Sequence, residues 1–185
     1  SLIPQERLPP SLPGEGGFAA SGTCLITRPG GHAWIATGNG PRARVLHSGD
    51  YGRSWSVVDA PVAGGTAAGL ATITFRDDLN GAALGGPIGA PDQHADNVAV
   101  TSDGGRSWRI AGRTTYPGAV YGAAYVPGAG ATIVAVSPKG ADLSRDDGAT
   151  WTRLDSLAYW GIGFAPDGTG WITGPGGRIA RVRVR

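Results

Sequence analysis

A long loop between two apolar segments, residues 85–97, carries the ionisable side chains best spaced for chemistry. Asp92, His94 and Asp96 occupy alternating positions, so an extended backbone would turn all three to the same side. Two carboxylates and an imidazole can ligate a divalent metal ion. The alternative is a solvated polar loop, and we favour it: we predict no metal site, and we expect these three residues at the rim of a ligand-binding concavity.

Two further loops are rich in aromatic residues. The side chains that stand out are Tyr116, Tyr121, Tyr159 and Trp160. Aromatic rings beside an open channel suit a sugar or a peptide chain, but the same rings also suit packing between neighbouring sheets. The sequence leaves both interpretations open. The binding hypothesis predicts that all four side chains converge in one concavity.

Composition limits the classes of function. The chain has 185 residues with 41% hydrophobic residues and six tryptophans, which indicates a folded domain despite 33 glycines and 14 prolines. Its single cysteine, Cys24, excludes an intrachain disulfide and any multi-cysteine metal site. A net charge of +2 from scattered basic residues predicts no nucleic-acid partner, and no apolar stretch is long enough to predict a membrane span. Without a phosphate-binding loop or dinucleotide fingerprint, we expect no cofactor.

An eight-residue motif, S/T-x-D-x-G-x-S/T-W, occurs at residues 48–55, 101–108 and 144–151. Short apolar runs flank each copy, which predicts a strand, a tight turn and a second strand. The aspartate can accept backbone N–H groups of the turn, the glycine can adopt positive φ, and the tryptophan can cover the hairpin base. We therefore assign structural roles to the recurring residues, which are Asp50, Gly52, Trp55, Asp103, Gly105, Trp108, Asp146, Gly148 and Trp151.

Four repeats follow from this spacing, at about residues 18–60, 68–111, 119–155 and 160–185. Each reads as four short antiparallel strands, and no segment has a convincing helical period. Residues 1–17 are expected to supply a fourth strand and a connection. The sequence thus predicts an all-β chain, a β-propeller of about four four-stranded blades that either close into a small ring or form part of a larger one.

The motif resembles the Asp-box, or BNR, repeat, because five of its positions recur at fixed offsets. Asp-boxes occur in sialidase-like glycosidases, in sortilin-type receptors and in bacterial or chloroplast proteins similar to the photosystem II assembly and stability factor. The glycine-rich repeats that end in D-G-G-R-S-W look most like the last group. The resemblance implies a β-propeller and favours an extracytoplasmic location.

Alternating strand direction places the motif turns on one end of the propeller, here called the turn face. The opposite end, the loop face, carries the irregular loops 85–97, 114–121 and 156–161. Function resides more often in loops held by a rigid scaffold than in repeated turns. We therefore expect the loop face to bind a protein segment or a glycan without catalysis.

The alternative function is glycoside hydrolysis. The sequence fits a sialidase-like enzyme poorly, because Glu6 and Glu15 are its only glutamates and Leu2-Ile3-Pro4 lacks the arginine of the sialidase signature. Catalytic groups in further blades would restore that alternative, so the sequence leaves open whether the protein is an enzyme.

The last repeat lacks a fourth strand. Residues 1–4 are expected either to pair with residues 179–184 and close the ring, or to complete the last blade of upstream repeats; pairing between chains would give a homo-oligomer. Residues 178–185 alternate arginine with apolar residues, so one side of this strand is basic. Such a side can meet an acidic partner, although it more often serves as a solvated edge that discourages aggregation.

Overall fold

The structure is a computed structural model that describes residues 2–18 and 22–184. Fifteen strands make up its regular structure, together with two 3₁₀ turns at Gln5–Arg7 and Pro175–Gly177. The strands of the first two sheets are β1 (Leu25–Arg28), β2 (His32–Thr37), β3 (Arg44–Ser48), β4 (Ser56–Asp59), β5 (Ala68–Phe75), β6 (Gly81–Pro87), β7 (Val98–Thr101) and β8 (Arg109–Ile110). Those of the last two sheets are β9 (Gly122–Tyr125), β10 (Ile133–Ser137), β11 (Gly140–Ser144), β12 (Thr152–Asp155), β13 (Gly161–Phe164), β14 (Thr169–Gly174) and β15 (Arg178–Arg183).

The strands form four separate antiparallel sheets in chain order, which we call blades 1 to 4. Blades 1 to 3 have four strands each, and blade 4 has the three strands β13, β14 and β15. Neighbouring blades contact each other through their first strands: β1 lies beside β5, β5 beside β9, and β9 beside β13. The predicted all-β architecture is therefore confirmed. Within the described residues no helix is long and apolar enough to cross a membrane.

Three hydrophobic clusters hold the blades together, one between each pair of neighbours. Between blades 1 and 2, the fully buried Trp34 stacks on Phe75 with ring centroids 4.0 Å apart. The indole Nε1 of Trp34 donates to the carbonyl oxygen of Gly104 at 2.9 Å. Burial of large aromatic area with its polar atom satisfied stabilises this interface.

Threonine hydroxyls link the innermost strands of blades 2 and 3. Thr72 accepts a hydrogen bond from the amide of Ala123 at 3.1 Å, and Thr74 accepts one from Tyr125 at 3.2 Å. Thr72 also accepts from the hydroxyl of Thr23. These bonds satisfy donors that would otherwise be unpaired at the inner edge of a sheet.

The hydrogen bonds of the motif carboxylates and hydroxyls are the same in all three copies, whereas the indole N–H bonds to the turn at Trp55 and Trp151 but not at Trp108. In blade 1 the Asp50 carboxylate accepts bonds from the Ser54 amide (2.9 Å) and hydroxyl (2.6 Å), and Ser48 Oγ accepts the Gly52 amide at 2.9 Å. Asp103 and Asp146 make the corresponding bonds in blades 2 and 3. Each turn contains two successive residues at positive φ, the second always the motif glycine. Each motif aspartate therefore bonds within its own turn.

The motif tryptophans have different surroundings. Trp108 and Trp151 pack into the clusters that their blades share with the preceding blades. Trp55 has no preceding blade within the described residues and instead lines an apolar hollow of about 650 Å³ with Leu25 and Ile3. Trp151 is thus buried, whereas Trp108 and Trp55 are each half-buried, Trp108 against a neighbouring blade and Trp55 beside the hollow.

The blades form an open arc. Leu2–Pro4 form no strand and no backbone hydrogen bond with β15; Leu2 is 97% exposed, and Ile3 lies against blade 1. Pairing of residues 1–4 with residues 179–184 is therefore not found, and for Ser1 it lies outside the described residues. Blade 4 has three strands within the described residues.

Candidate functional site

The loop face is built from connections of unequal length. The longest lie between β6 and β7 and between β8 and β9, and a shorter one joins β12 to β13. Backbone hydrogen bonds hold the first two against each other: the Gly118 amide donates to Gln93 O at 2.9 Å, and the Val120 amide donates to Gly85 O at 2.8 Å. The two loops therefore form one continuous surface.

The three residues predicted for the rim of this surface lie in its β6–β7 loop. Asp92 forms an ion pair with Lys139 at 2.6 Å, and Asp96 forms one with Arg113 at 3.1 Å. His94 is exposed. Among the described residues there is no group of three or more His, Cys, Asp or Glu side chains that could hold a metal ion. Asp92 and Asp96 tie the loop to two neighbouring segments.

Two of the four predicted aromatics are buried between blades. Tyr116 and Tyr159 are each 1% exposed and belong to two different hydrophobic clusters. The Tyr159 hydroxyl donates to Asp155 at 2.7 Å, and burial together with this carboxylate raises the pKa of Tyr159 to about 12. The four aromatics therefore do not share one concavity, because packing between blades takes up Tyr116 and Tyr159.

The other two aromatics reach the surface from equivalent positions. Tyr121 and Trp160 each directly precede the innermost strand of a blade, β9 and β13 respectively. Their amides donate to the second strand of the same blade, Tyr121 to Val136 O (2.9 Å) and Trp160 to Thr173 O (2.7 Å). Trp160 is 45% exposed and Tyr121 is half-buried. The propeller repeat thus brings two aromatic side chains to the inner rim of the loop face.

The loop beneath Tyr121 is held by a buried carboxylate that the sequence analysis missed. Asp142 has a fully buried side chain and accepts bonds from the amide (2.6 Å) and hydroxyl (2.9 Å) of Thr115 and from Arg153 Nε (2.9 Å). The Arg153 guanidinium also lies over the Tyr116 ring, 5.7 Å from its centroid. The available signal was an aspartate inside the otherwise small and apolar strand β11. Asp142 positions the loop and does not itself reach solvent.

A second buried ion pair joins the N-terminal segment to blade 1. Glu15 and Arg44 form two hydrogen bonds, and Glu15 also accepts the Leu12 amide and the Thr37 hydroxyl. Burial alone would raise the pKa of Glu15, but the bonds from Arg44, Leu12 and Thr37 outweigh it and lower that pKa to about 2. A carboxylate with so low a pKa is a structural anion and a poor proton donor.

The turn face also has a hollow, of about 350 Å³, lined by Arg28, Arg76 and Tyr125. Its charged groups pair across blades: Arg28 with Asp78 at 2.8 Å, and Arg76 with Asp147 at 3.1 Å. These contacts join blade 1 to blade 2 and blade 2 to blade 3. The cations of this hollow therefore already have carboxylate partners.

A scan against protein-family models gave no match, and a search of curated protein sequences gave none either. Solved structures do match. A GH74 enzyme from Niastella koreensis aligns with 88% of this chain at 16% identity and a TM-score of 0.64. A structure of YCF48 bound to D1 peptide aligns with 85% at 22% identity and a TM-score of 0.51. The NanB sialidase of Streptococcus pneumoniae aligns with 87% at 15% identity and a TM-score of 0.58.

These neighbours include two enzymes and one protein bound to a peptide, so the likeness at this identity concerns the fold. This chain spans 28%, 47% and 30% of the three matched chains, in the same order. Its four sheets correspond to part of a propeller in each of them. The chain has a β-propeller fold, and its described residues form an open arc of four blades.

Proposed function

We propose that this chain is part of a non-catalytic propeller scaffold that binds an extended protein segment on its loop face. The observation that carries the proposal is the pair Tyr121 and Trp160, two accessible aromatic side chains at equivalent positions on neighbouring blades. Aromatic residues are enriched where proteins bind other chains, since they offer large contact area at a low entropic cost. The exposed residues Asp92, His94 and Asp96 lie on the same face and would contact the polar part of the partner.

The character of the ionisable groups supports binding over hydrolysis. A glycosidase needs a carboxylic acid whose pKa is raised so that it can donate a proton, together with a second carboxylate. Among the described residues, every carboxyl group whose pKa is displaced is displaced downward, for example Glu15, Asp50 and Asp103, each to about 2. Hydrogen bonds from neighbouring donors stabilise their anionic forms. Such groups are suited to holding turns and loops together.

YCF48, one of the structural neighbours, was solved with a peptide bound. That complex adds a precedent for a peptide ligand on a propeller of similar fold. The GH74 and sialidase neighbours keep hydrolysis as the alternative, with the catalytic groups supplied by other parts of a longer protein.

The test is selection of binders from an array of synthetic extended peptides, followed by affinity measurements on variants. We expect Tyr121→Ala and Trp160→Ala each to weaken binding of the selected peptide by roughly tenfold or more, as for aromatic anchors in other interfaces. Trp171→Ala is the matched control, since Trp171 is also 45% exposed but lies on the open side of blade 4. A peptide that binds all three variants as it binds the original chain would contradict the proposal.

A further inference from the structure

Two histidines of blade 1, His32 on β2 and His47 on β3, are in direct contact. The distance from His32 Nδ1 to His47 Nε2 is 3.2 Å, and the planes of the two rings differ by 7°. Both side chains are half-buried. Two imidazole nitrogens at this distance form a hydrogen bond when one donates its N–H and the other accepts. The contact therefore requires that one of the two facing nitrogens carries no hydrogen.

The histidine pair belongs to the interface between blades 1 and 2. Both rings lie nearly parallel to the indole of Trp34, with ring centroids 5.3 Å away for His32 and 4.8 Å away for His47. The same indole stacks on Phe75 of blade 2 and donates to the carbonyl oxygen of Gly104 in the blade 2 motif turn. The described chain contains both blades of this interface. A change in the histidine pair therefore acts directly on the ring stack that joins them.

Charged side chains approach the pair from three elements. Arg106 lies in the turn between β7 and β8 of blade 2, and Asp50 lies in the turn that follows β3; both act electrostatically on His47. Arg28 lies opposite His32 on β1 and forms an ion pair with Asp78 at 2.8 Å. The pair thus has cations on both sides, of which the one on β1 already has a carboxylate partner.

Acidification conflicts with this arrangement. When both rings are imidazolium ions, every ring nitrogen carries a hydrogen, so the facing nitrogens lose their hydrogen bond and two like charges are in contact. Burial, His32 and Arg106 lower the pKa of His47, and Asp50 opposes them without outweighing them. In the unfolded chain the ordinary pKa of the ring is 6.5. Below that pH the folded chain binds fewer protons than the unfolded one, so its stability falls with the pH.

We propose that the His32–His47 pair is an acid-sensitive switch at the interface between blades 1 and 2. The pair stays hydrogen-bonded on the Trp34 indole while it carries no more than one proton, and it opens when both imidazoles are protonated. Opening uncovers one face of the indole at the turn-face end of the interface. The switch does not involve Tyr121 or Trp160, so it is independent of binding at the loop face.

The pH range of the switch separates it from the acidic groups of the chain. The contribution of the pair to stability is complete above pH 6.5 and is lost as the pH falls below that value. Glu15, with an ordinary pKa of 4.5 and a folded-state pKa of about 2, keeps its full contribution down to pH 4.5. Measurements between pH 7 and pH 5 therefore report on the histidines.

Proton NMR titration of the histidine rings is the direct test, since the chain has three histidines, His32, His47 and His94. Single His→Gln variants assign the three ring resonances. We expect His47 to titrate below pH 6.5, and at higher pH in His32→Gln and in Arg106→Gln, because each variant removes a neighbouring charge. Arg106 is exposed, so Arg106→Gln should fold even if a change at the pair does not. Titration of His47 that neither variant alters would overturn the proposal.

Urea unfolding at pH 7 and pH 5 measures the effect on stability. The original chain should lose stability over this range, and His32→Gln and His47→Gln should each lose less than about half as much, because neither can form the doubly protonated pair. His94→Gln is the matched control: His94 is exposed on the loop face, so this variant should lose as much as the original chain. Equal losses in all four proteins would contradict the switch.

Amide hydrogen exchange locates the opening. After correction for the intrinsic effect of pH, exchange at pH 5 should become faster in β2, β3 and the turn at residues 101–108 and should stay unchanged in blades 3 and 4. Faster exchange spread evenly over all blades would mean global loss of stability and would overturn the assignment to this interface. Trp160→Ala should show the same pH dependence as the original chain, so this proposal and the binding proposal can fail separately.

Discussion

The two ends of the arc use their polar residues in different ways. On the turn face, each motif aspartate bonds within its own turn, and the pattern is the same in three blades. On the loop face, Asp92, Asp96 and Asp142 each have a different partner on another segment. The repeated turns are therefore held by hydrogen bonds within each turn. The irregular loops are held by contacts between segments that are distant in sequence.

This difference suggests that the turn face serves stability and the loop face serves recognition. A turn that satisfies its own donors can be repeated in every blade, since it needs nothing from the rest of the chain. The loops differ from blade to blade, and two of them bring the accessible aromatics Tyr121 and Trp160 to equivalent positions. We expect substitutions on the turn face to affect folding and substitutions at the rim of the loop face to affect binding.

The largest effect should come from Trp108, a partly buried motif tryptophan that packs against the cluster between blades 1 and 2. Trp108→Ala is expected to lower the free energy of unfolding by about 3–5 kcal/mol, because it leaves a cavity beside Phe75, whose ring lies 6.1 Å away edge-on. Trp55→Ala removes the same side chain where no preceding blade is described, so the loss should be clearly smaller. Urea unfolding of both variants measures the difference. Loss of ligand binding by Trp108→Ala at unchanged stability would reverse the structural assignment of the motif.

A buried and an exposed carboxylate on the loop face offer the next comparison. Asp142→Ala is expected to destabilise by about 2–4 kcal/mol, since it leaves the Thr115 amide and Arg153 without their acceptor. Asp92→Ala removes an ion pair whose aspartate is 83% exposed, and the expected cost is about 0–0.5 kcal/mol. Thermal unfolding compares the two. Equal losses of stability would mean that the exposed Asp92 contributes as much to the fold as the buried Asp142.

The loss of stability at strongly acidic pH should come from carboxylates of both the N-terminal segment and the turn face. Glu15 has a folded-state pKa of about 2 against an ordinary value of 4.5, so its stabilising contribution is complete above pH 4.5 and is lost as the pH falls toward 2. Asp50 and Asp103 on the turn face have pKa values lowered to about 2, first of all by hydrogen bonds from Ser54 and Ser107, and act in the same direction.

Glu15→Gln tests how much of this sensitivity belongs to the N-terminal segment. The variant should be less stable at pH 7 and should lose less additional stability between pH 4.5 and pH 2 than the original chain. Urea unfolding at a series of pH values measures both quantities. If the free energy of unfolding of the variant depends on pH as it does in the original chain, the loss of stability in acid belongs to the turn face.

The smallest effect on stability is expected at Trp160. Its side chain is 45% exposed, so Trp160→Ala should change the free energy of unfolding by less than about 1 kcal/mol while it weakens peptide binding. Trp171→Ala should have a similarly small effect on stability and none on binding at the loop face. A large loss of stability in Trp160→Ala would show that this residue is a packing element like Tyr159.

Much of the fold could be predicted from the sequence because its signals are local. The motif at residues 48–55, 101–108 and 144–151 determines a turn through contacts within eight residues, and its recurrence predicts the strands on either side.

The candidate site depended on longer-range contacts. The sequence grouped Tyr116 and Tyr159 with Tyr121 and Trp160, since all four lie in loops that precede an innermost strand. Packing of one blade against the next buries the first two and leaves the other two at the surface. A position in a loop does not reveal which side of it a neighbouring blade will cover.

The sequence by itself therefore determined the all-β class, the repeat and the turns, since each depends on residues a few positions apart. Only the tertiary structure decided which aromatics remain accessible and that Asp142 and Glu15 are buried anions. The physical reason is that burial and charge pairing are properties of surfaces brought together by folding. Residues that meet across blades, such as Trp34 and Gly104, are separated by 70 positions in the chain.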